Sequence, residues 1–166
     1  MGVQENIMTM FGAAKILLSY LAGDAGPNAQ INDYNRRLAT AALLTRIASV
    51  NSEMSKVRRE ALHSILRSRF ELDDHSAGRL LEEAIDINRD AIDLYRFTRQ
   101  LTDMLDDEDR SQLVQMMWEV VYADGQANEF DKNIIWRAAD LLGVSSRRRV
   151  ELRQIVCAER AAFSSP

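Results

Sequence analysis

The stretch LVQMMWEVVYADGQANEFDKNIIWRAADLLGV, residues 113–144, contains two helical patterns separated by a turn. In its first part, apolar residues recur at i, i+3, i+4, i+7 and i+8, the spacing of one helix face: Leu113, Met116, Met117, Val120 and Val121. Asp124-Gly125 is a common turn dipeptide. Gly143, after the second apolar run, is a natural left-handed helix C-cap. The stretch predicts two helices joined at a corner.

The rest of the chain continues the helical pattern and contains no alternating, strand-like run. Prolines occur only at Pro27 and Pro166, so none interrupts a helix between them. We predict helices near 5–22, 32–50, 56–69, 74–88, 91–104, 107–122, 129–142 and 146–162. Six residues are expected to cap them: Ser55, Asp73, Asp90, Asp106, Asn128 and Ser145. The chain is therefore predicted to be an all-α bundle of about seven to eight helices. An N-terminal apolar helix and linker (1–28) would precede the helical domain (29–166).

A shift of 73 residues aligns two long segments of the chain. Residues 37–66 then lie on residues 110–139, and twelve of the thirty pairs are apolar in both copies. Only Arg37 and Arg110 are identical. Two interpretations stay open: two related helix-turn-helix halves that pack together, or two unrelated amphipathic helix pairs. In this alignment Asn51 corresponds to Asp124 and Arg58 to Asp131, so the earlier corner lacks the acids of the later one.

The acidic corner is the candidate binding site. Oxygen-bearing side chains cluster where one helix ends and the next begins: Asp124, Asn128, Glu129 and Asp131. Such oxygens suit a divalent cation of the hard class, calcium, magnesium or manganese rather than zinc. A standard EF-hand loop is excluded because Val120 and Tyr122 would occupy its first ligand positions. The alternative is a simple turn, in which Asn128 caps the helix and Asp131 completes a capping box.

Composition narrows the function classes. A net charge of −4 and a pI near 5.3 argue against nucleic-acid binding, which leaves an unidentified protein as the expected partner. The single Cys157 cannot form an internal disulfide, so we expect a buried thiol in a reducing cytoplasm. The N-terminal apolar segment carries Lys15 near its middle and has no basic leader, which argues against membrane insertion.

Catalytic motifs are absent from the sequence. It has no glycine-rich phosphate loop, no Gly-x-Ser-x-Gly elbow and no Cys–His pair at a recognised spacing, so a non-enzyme is predicted. His63 and His75 do not have the spacing of a zinc site. The run 147–149, three arginines, is interpreted as a solvated basic face. Trp118 and Trp136 are interpreted as packing residues of the bundle.

The apolar helix ending in YADG, followed by an acidic helix start and IIWRAADLLGV, resembles the tellurite-resistance TerB-like family. That family shares its domain with the N-terminal region of the DjlA co-chaperone family. The resemblance covers Leu38 to Phe163 and is most specific from Ala123 to Val144. It implies an all-helical bundle of two related halves, a non-catalytic stress-linked role and a proposed metal site. The family's acids would fall on Asp124 and Asp131, whereas the first half departs from the acidic pattern. No His-Pro-Asp tripeptide is present, so J-domain activity is not implied.

Three functional hypotheses follow from these observations. The first is a stress-associated binding or scaffold module with a divalent cation at the acidic corner. The second is a protein-interaction domain without metal, whose partner docks on an apolar groove or on the arginine run. The third is membrane attachment through the N-terminal helix. The sequence does not predict an oligomeric state.

Overall fold

The computed structural model describes residues 32–50, 53–90 and 93–164. Seven α-helices follow one another in this part of the chain: α1 (Asn32–Ala48), α2 (Lys56–Arg69), α3 (Asp74–Arg89), α4 (Leu94–Met104), α5 (Asp107–Tyr122), α6 (Glu129–Leu141) and α7 (Ser146–Ser164). No strand occurs in the described ranges, and the all-α prediction is confirmed. The predicted helix at 5–22 and the domain boundary at residue 28 lie outside the described residues. None of the described helices is long and apolar enough to cross a bilayer.

Capping residues begin most of these helices where the sequence predicts. Side-chain oxygens of five predicted caps accept first-turn backbone N–H groups: Ser55, Asp73, Asp106, Asn128 and Ser145. At Asp73 the N–H of Ser76 donates over 2.7 Å, which lowers the pKa of that carboxyl from its ordinary value.

Asp90 was predicted as a cap, and that prediction is wrong. Its backbone N–H donates to the carbonyl of Ile87 over 3.3 Å and so completes the last turn of α3. The cap of α4 is Asp93, whose carboxylate accepts the N–H of Tyr95 at 3.3 Å. Both acids are chemically suited to capping, and the end of α3 decides between them.

Helices α1 and α5 form the centre of the bundle. From residue 38 to residue 48 every side chain of α1 is buried except Arg46, so this helix is apolar around almost its whole circumference. The stripe predicted on α5 is buried as well, together with Val114 and Trp118. The packing prediction for Trp118 is confirmed.

The structure repeats itself with the predicted offset. Adding 73 to the first residues of α1, α2 and α3 gives positions within two residues of the first residues of α5, α6 and α7. Each repeat therefore has three helices rather than the two expected, and α4 connects them. Because α1 and α5 contact each other, the equivalent central helices of the two repeats meet in the core.

Two side chains of α7 differ from expectation. Arg149 was predicted to be solvated, but it is buried and donates to Asp140 over 2.8 Å. Cys157 was predicted to be buried, but it is exposed. The buried face of α7 follows Arg149, Leu152 and Val156, at i, i+3 and i+7, and Cys157 lies one residue past that face.

Two glycines give a matched test of backbone strain. Gly143 ends α6 at φ +77°, where a side chain is strained although space exists, so Gly143→Ala should lower the free energy of unfolding by about 1 kcal/mol. Gly78 lies inside α3, and an added Cβ would come no closer than 3.9 Å to His63. Gly78→Ala should therefore stabilise by about 0.5–1 kcal/mol. Urea unfolding measures the free energy of unfolding of both variants. A change of the same sign in the two variants would contradict the expectation.

Candidate functional site

The acidic corner joins α5 to α6 through a tight turn. Gly125 adopts φ +116°, a conformation that favours glycine. Asn128 and Asp131 form a capping box: the N–H of Asp131 donates to the Asn128 side chain at 2.9 Å, and the N–H of Asn128 donates to Asp131 Oδ2 at 3.0 Å. The capping interpretation of these residues is confirmed.

Asp131 is fully buried and pairs with Arg58 of α2. Its exposed fraction is 0%, and the guanidinium donates to both carboxylate oxygens, from Nη1 to Oδ1 at 2.9 Å and from Nη2 to Oδ2 at 2.7 Å. This is the bidentate geometry that makes Arg–carboxylate pairs strong. The pair connects residues 73 positions apart and ties the two repeats together.

The same guanidinium is surrounded by further oxygens. Nη1 donates to the carbonyl of Ala48 at 3.3 Å and Nη2 to the carbonyl of Val121 at 3.2 Å. Nε lies 3.0 Å from Asp124 Oδ2 in a further ion-pair contact. The hydrogen bonds to Asp131 raise the pKa of Arg58 from its ordinary value, against the opposing effect of burial. Arg58 therefore stays charged and is the cation of this corner.

These contacts have the symmetry of the internal repeat. Arg58 and Asp131 are equivalent positions, and so are Ala48 and Val121, whose two carbonyls both accept from the guanidinium. The caps correspond too, since Ser55 Oγ accepts the N–H of Arg58 at 3.2 Å as Asn128 does for Asp131. The ion pair thus lies where the two repeats face each other.

The four predicted metal ligands have different surroundings. Asp124, with 32% of its side chain exposed, contacts Arg58 and lies 3.5 Å from Ser55 Oγ. Glu129 is exposed and accepts from Lys132 at 2.7 Å, which lowers the pKa of its carboxyl. Asn128 contacts Asp131 through the capping box, and the carboxylates of Asp124 and Asp131 both contact the guanidinium of Arg58.

This donor set does not fit a divalent cation while Arg58 is in place. In the described ranges no group of three or more His, Cys, Asp or Glu side chains is arranged to hold an ion. A divalent cation between Asp124 and Asp131 would also be repelled by the guanidinium at close range. The cation site stays a prediction, and this geometry disfavours it.

Sequence reasoning missed the role of Arg58, although the signal is present in the sequence. The 73-residue alignment puts an arginine opposite Asp131, and opposite charges at equivalent positions can pair where two repeats meet. In the sequence analysis, Arg58 was interpreted as a residue that replaces an acidic metal ligand in the earlier corner. It is instead the partner of Asp131.

A second candidate feature is a groove of about 800 Å³ beside this corner, here called the α4–α6 groove. The start of α4 and the outer face of α6 line it, with contributions from the end of α1 and from α7: Arg46, Val50, Asp93, Leu94, Tyr95, Phe130, Asn133, Ile134, Trp136, Arg137, Asp140, Leu141 and Arg149. Tyr95 and Phe130 are exposed by 51% and 58%. Trp136 is half-buried there, with the guanidinium of Arg149 5.3 Å from its ring centre. The groove thus combines aromatic and arginine side chains.

Comparison with known proteins identifies the family. The family model described as "Tellurite resistance protein TerB" matches residues 37–154, a range that includes the corner, Arg58 and every lining residue of the groove. No curated protein and no solved structure matches the chain. The matched range runs from within α1 into α7 and so covers most of both repeats of the bundle. The chain belongs to the TerB family.

Proposed function

We propose that this TerB-family chain is a non-catalytic, stress-associated binding module that acts through protein contacts rather than through a resident cation. The observation that carries the proposal is Arg58, whose guanidinium occupies the space between Asp124 and Asp131. With that charge fixed in the corner, the two carboxylates serve to join the repeats. A cytoplasmic site of action belongs to the same proposal.

A rigid corner suits a module that presents a surface to a partner. Arg58 contacts the ends of α1 and α5 and the first turn of α6, so a single side chain fixes three helices relative to α2. Helix α6 carries its buried acid on one side and, on the other, Phe130 and Trp136 in the α4–α6 groove. Holding α6 in place therefore also holds one wall of the groove.

Cation titration tests this proposal directly. Calorimetric titration of calcium, magnesium, manganese and zinc into the full chain should give no saturable heat up to about 1 mM, the weak end of protein calcium sites. The reason is that any ion entering the corner must displace or be repelled by the guanidinium of Arg58. Saturable heat that disappears in Asp124→Asn but persists in Glu129→Gln would overturn the proposal.

A further inference from the structure

The α4–α6 groove brings two exposed aromatic side chains together in one concave surface. Seven large hydrophobic side chains of the described residues are exposed, and two of them, Tyr95 and Phe130, line this groove from opposite helices. Each is more than half exposed. Aromatic side chains gathered in a concave surface typically mark a binding site, because they bury large area at low entropic cost.

The groove carries a net positive charge. Arg46, Arg137 and Arg149 line it together with two carboxylates, of which Asp140 pairs with Arg149 and Asp93 caps α4. Arg46 and Arg137 line the same groove, are exposed, and form no ion pair with any other described residue. In a chain of net charge −4, these two guanidiniums create a local basic site beside the aromatic rings.

The combination of free arginines and exposed aromatic rings indicates which class of ligand the groove binds. Guanidinium groups bind carboxylates with two parallel hydrogen bonds, and free arginines in a groove favour an acidic partner through charge complementarity. The exposed aromatic rings need an apolar side chain to cover them, which a bare anion does not offer. A nucleic acid would meet the net negative charge of the rest of the chain. A peptide segment satisfies both requirements.

We propose that the α4–α6 groove binds an acidic peptide segment of a partner protein, with carboxylates on Arg46 and Arg137 and a bulky apolar side chain between Tyr95 and Phe130. This inference rests on the proposed function and names the class of its partner. The volume of about 800 Å³ accommodates a few residues of such a segment.

The chain carries its own reporter for the test. Its two tryptophans are Trp118, which is buried in the core, and Trp136, which lines the groove. The probe is a capped hexapeptide with four acidic residues flanking Leu-Phe, titrated into the full chain and followed by tryptophan fluorescence and calorimetry. We expect saturable binding with a Kd of about 10–100 μM, since the contact area is small. In Trp136→Phe the calorimetric signal should remain while the fluorescence change is lost.

Matched variants separate specific docking from general attraction. Arg46→Glu with Arg137→Glu should weaken binding at least about tenfold, because both charge contacts become repulsive. Tyr95→Ala with Phe130→Ala should weaken it to a similar extent. The control is Arg99→Glu, an exposed arginine of α4 that does not line the groove, which should change Kd by less than about twofold. The hexapeptide with amides in place of its carboxylates, or with Ala-Ala in place of Leu-Phe, should bind at least about tenfold more weakly.

Several results would overturn the inference: no binding of the acidic probe, equal binding of the amide version, an equal effect of Arg99→Glu, or equal competition by single-stranded DNA of matched charge. Peptide failure in a chain that gives no cation heat would remove this partner class and leave the proposed function intact. Cation heat that depends on Asp124 would instead remove the proposed function, whatever the peptide does.

Discussion

Arg58→Ala should lower the free energy of unfolding by about 3–5 kcal/mol, the largest loss expected from truncating any one exposed or buried arginine of the described bundle. The variant leaves the fully buried Asp131 carboxylate without its cation, and the carbonyls of Ala48 and Val121 without their donor. A buried charge left unpaired costs several times what an exposed pair contributes. Urea unfolding followed by circular dichroism measures the loss as a lower midpoint.

The neighbouring residue provides the control for this prediction. Arg59 follows Arg58 on α2 but pairs with Glu82 at the surface, where both side chains are about half exposed. Exposed pairs contribute about 0–1 kcal/mol, so Arg59→Ala should shift the midpoint little. Losses of equal size in the two variants would mean that the guanidinium of Arg58 is not the cation on which the corner depends.

The local features of this fold could be predicted from the sequence because they depend on nearby residues. A cap such as Ser55 or Asn128 bonds to the third residue after it, and Gly143 needs only its own backbone angle. These signals placed helix boundaries within a few residues. The prediction failed at Asp90, where two suitable caps lie three residues apart and the end of the preceding helix decides between them.

The sites depend on contacts between distant segments. Asp131 contacts Arg58 across 73 residues, and no local pattern distinguishes a carboxylate that binds an arginine from one that binds a metal. The α4–α6 groove exists because α4 packs beside α6, so Tyr95 and Phe130 cannot be linked from sequence spacing. The internal repeat is the exception, because it relates Arg58 to Asp131 through the sequence alone. Two equivalent positions of a repeat need not be in contact. Arg58 was therefore interpreted as a residue that replaces a metal ligand, and its ion pair with Asp131 was missed.

Exchanging the two charges tests whether the corner is symmetric. We expect Arg58→Asp and Asp131→Arg each to destabilise by at least about 4 kcal/mol or to prevent folding, because each buries like charges against one another. The double variant should recover about 2–3 kcal/mol relative to the sum of the single losses. The reason is the repeat symmetry: Asp131→Arg would direct a guanidinium toward the two carbonyls that Arg58 now contacts, and Arg58→Asp would place an acid at the third helical position after the cap Ser55, as in a capping box.

The exchange is best made with Asp124→Asn in every variant. Residue 124 corresponds to Asn51 in the alignment of the repeats, so this change makes the two flanking positions identical and removes a carboxylate that would face the new acid. Exchanging the exposed pair, Arg59→Glu with Glu82→Arg, is the control and should change stability by less than about 0.5 kcal/mol. Cooperative urea unfolding of the double variant, where either single variant unfolds early or fails to fold, is the expected result. A double variant no more stable than the worse single variant would contradict this expectation. It would mean that the two repeats have the same backbone fold, but that the side chains around the ion pair accommodate the arginine only at residue 58.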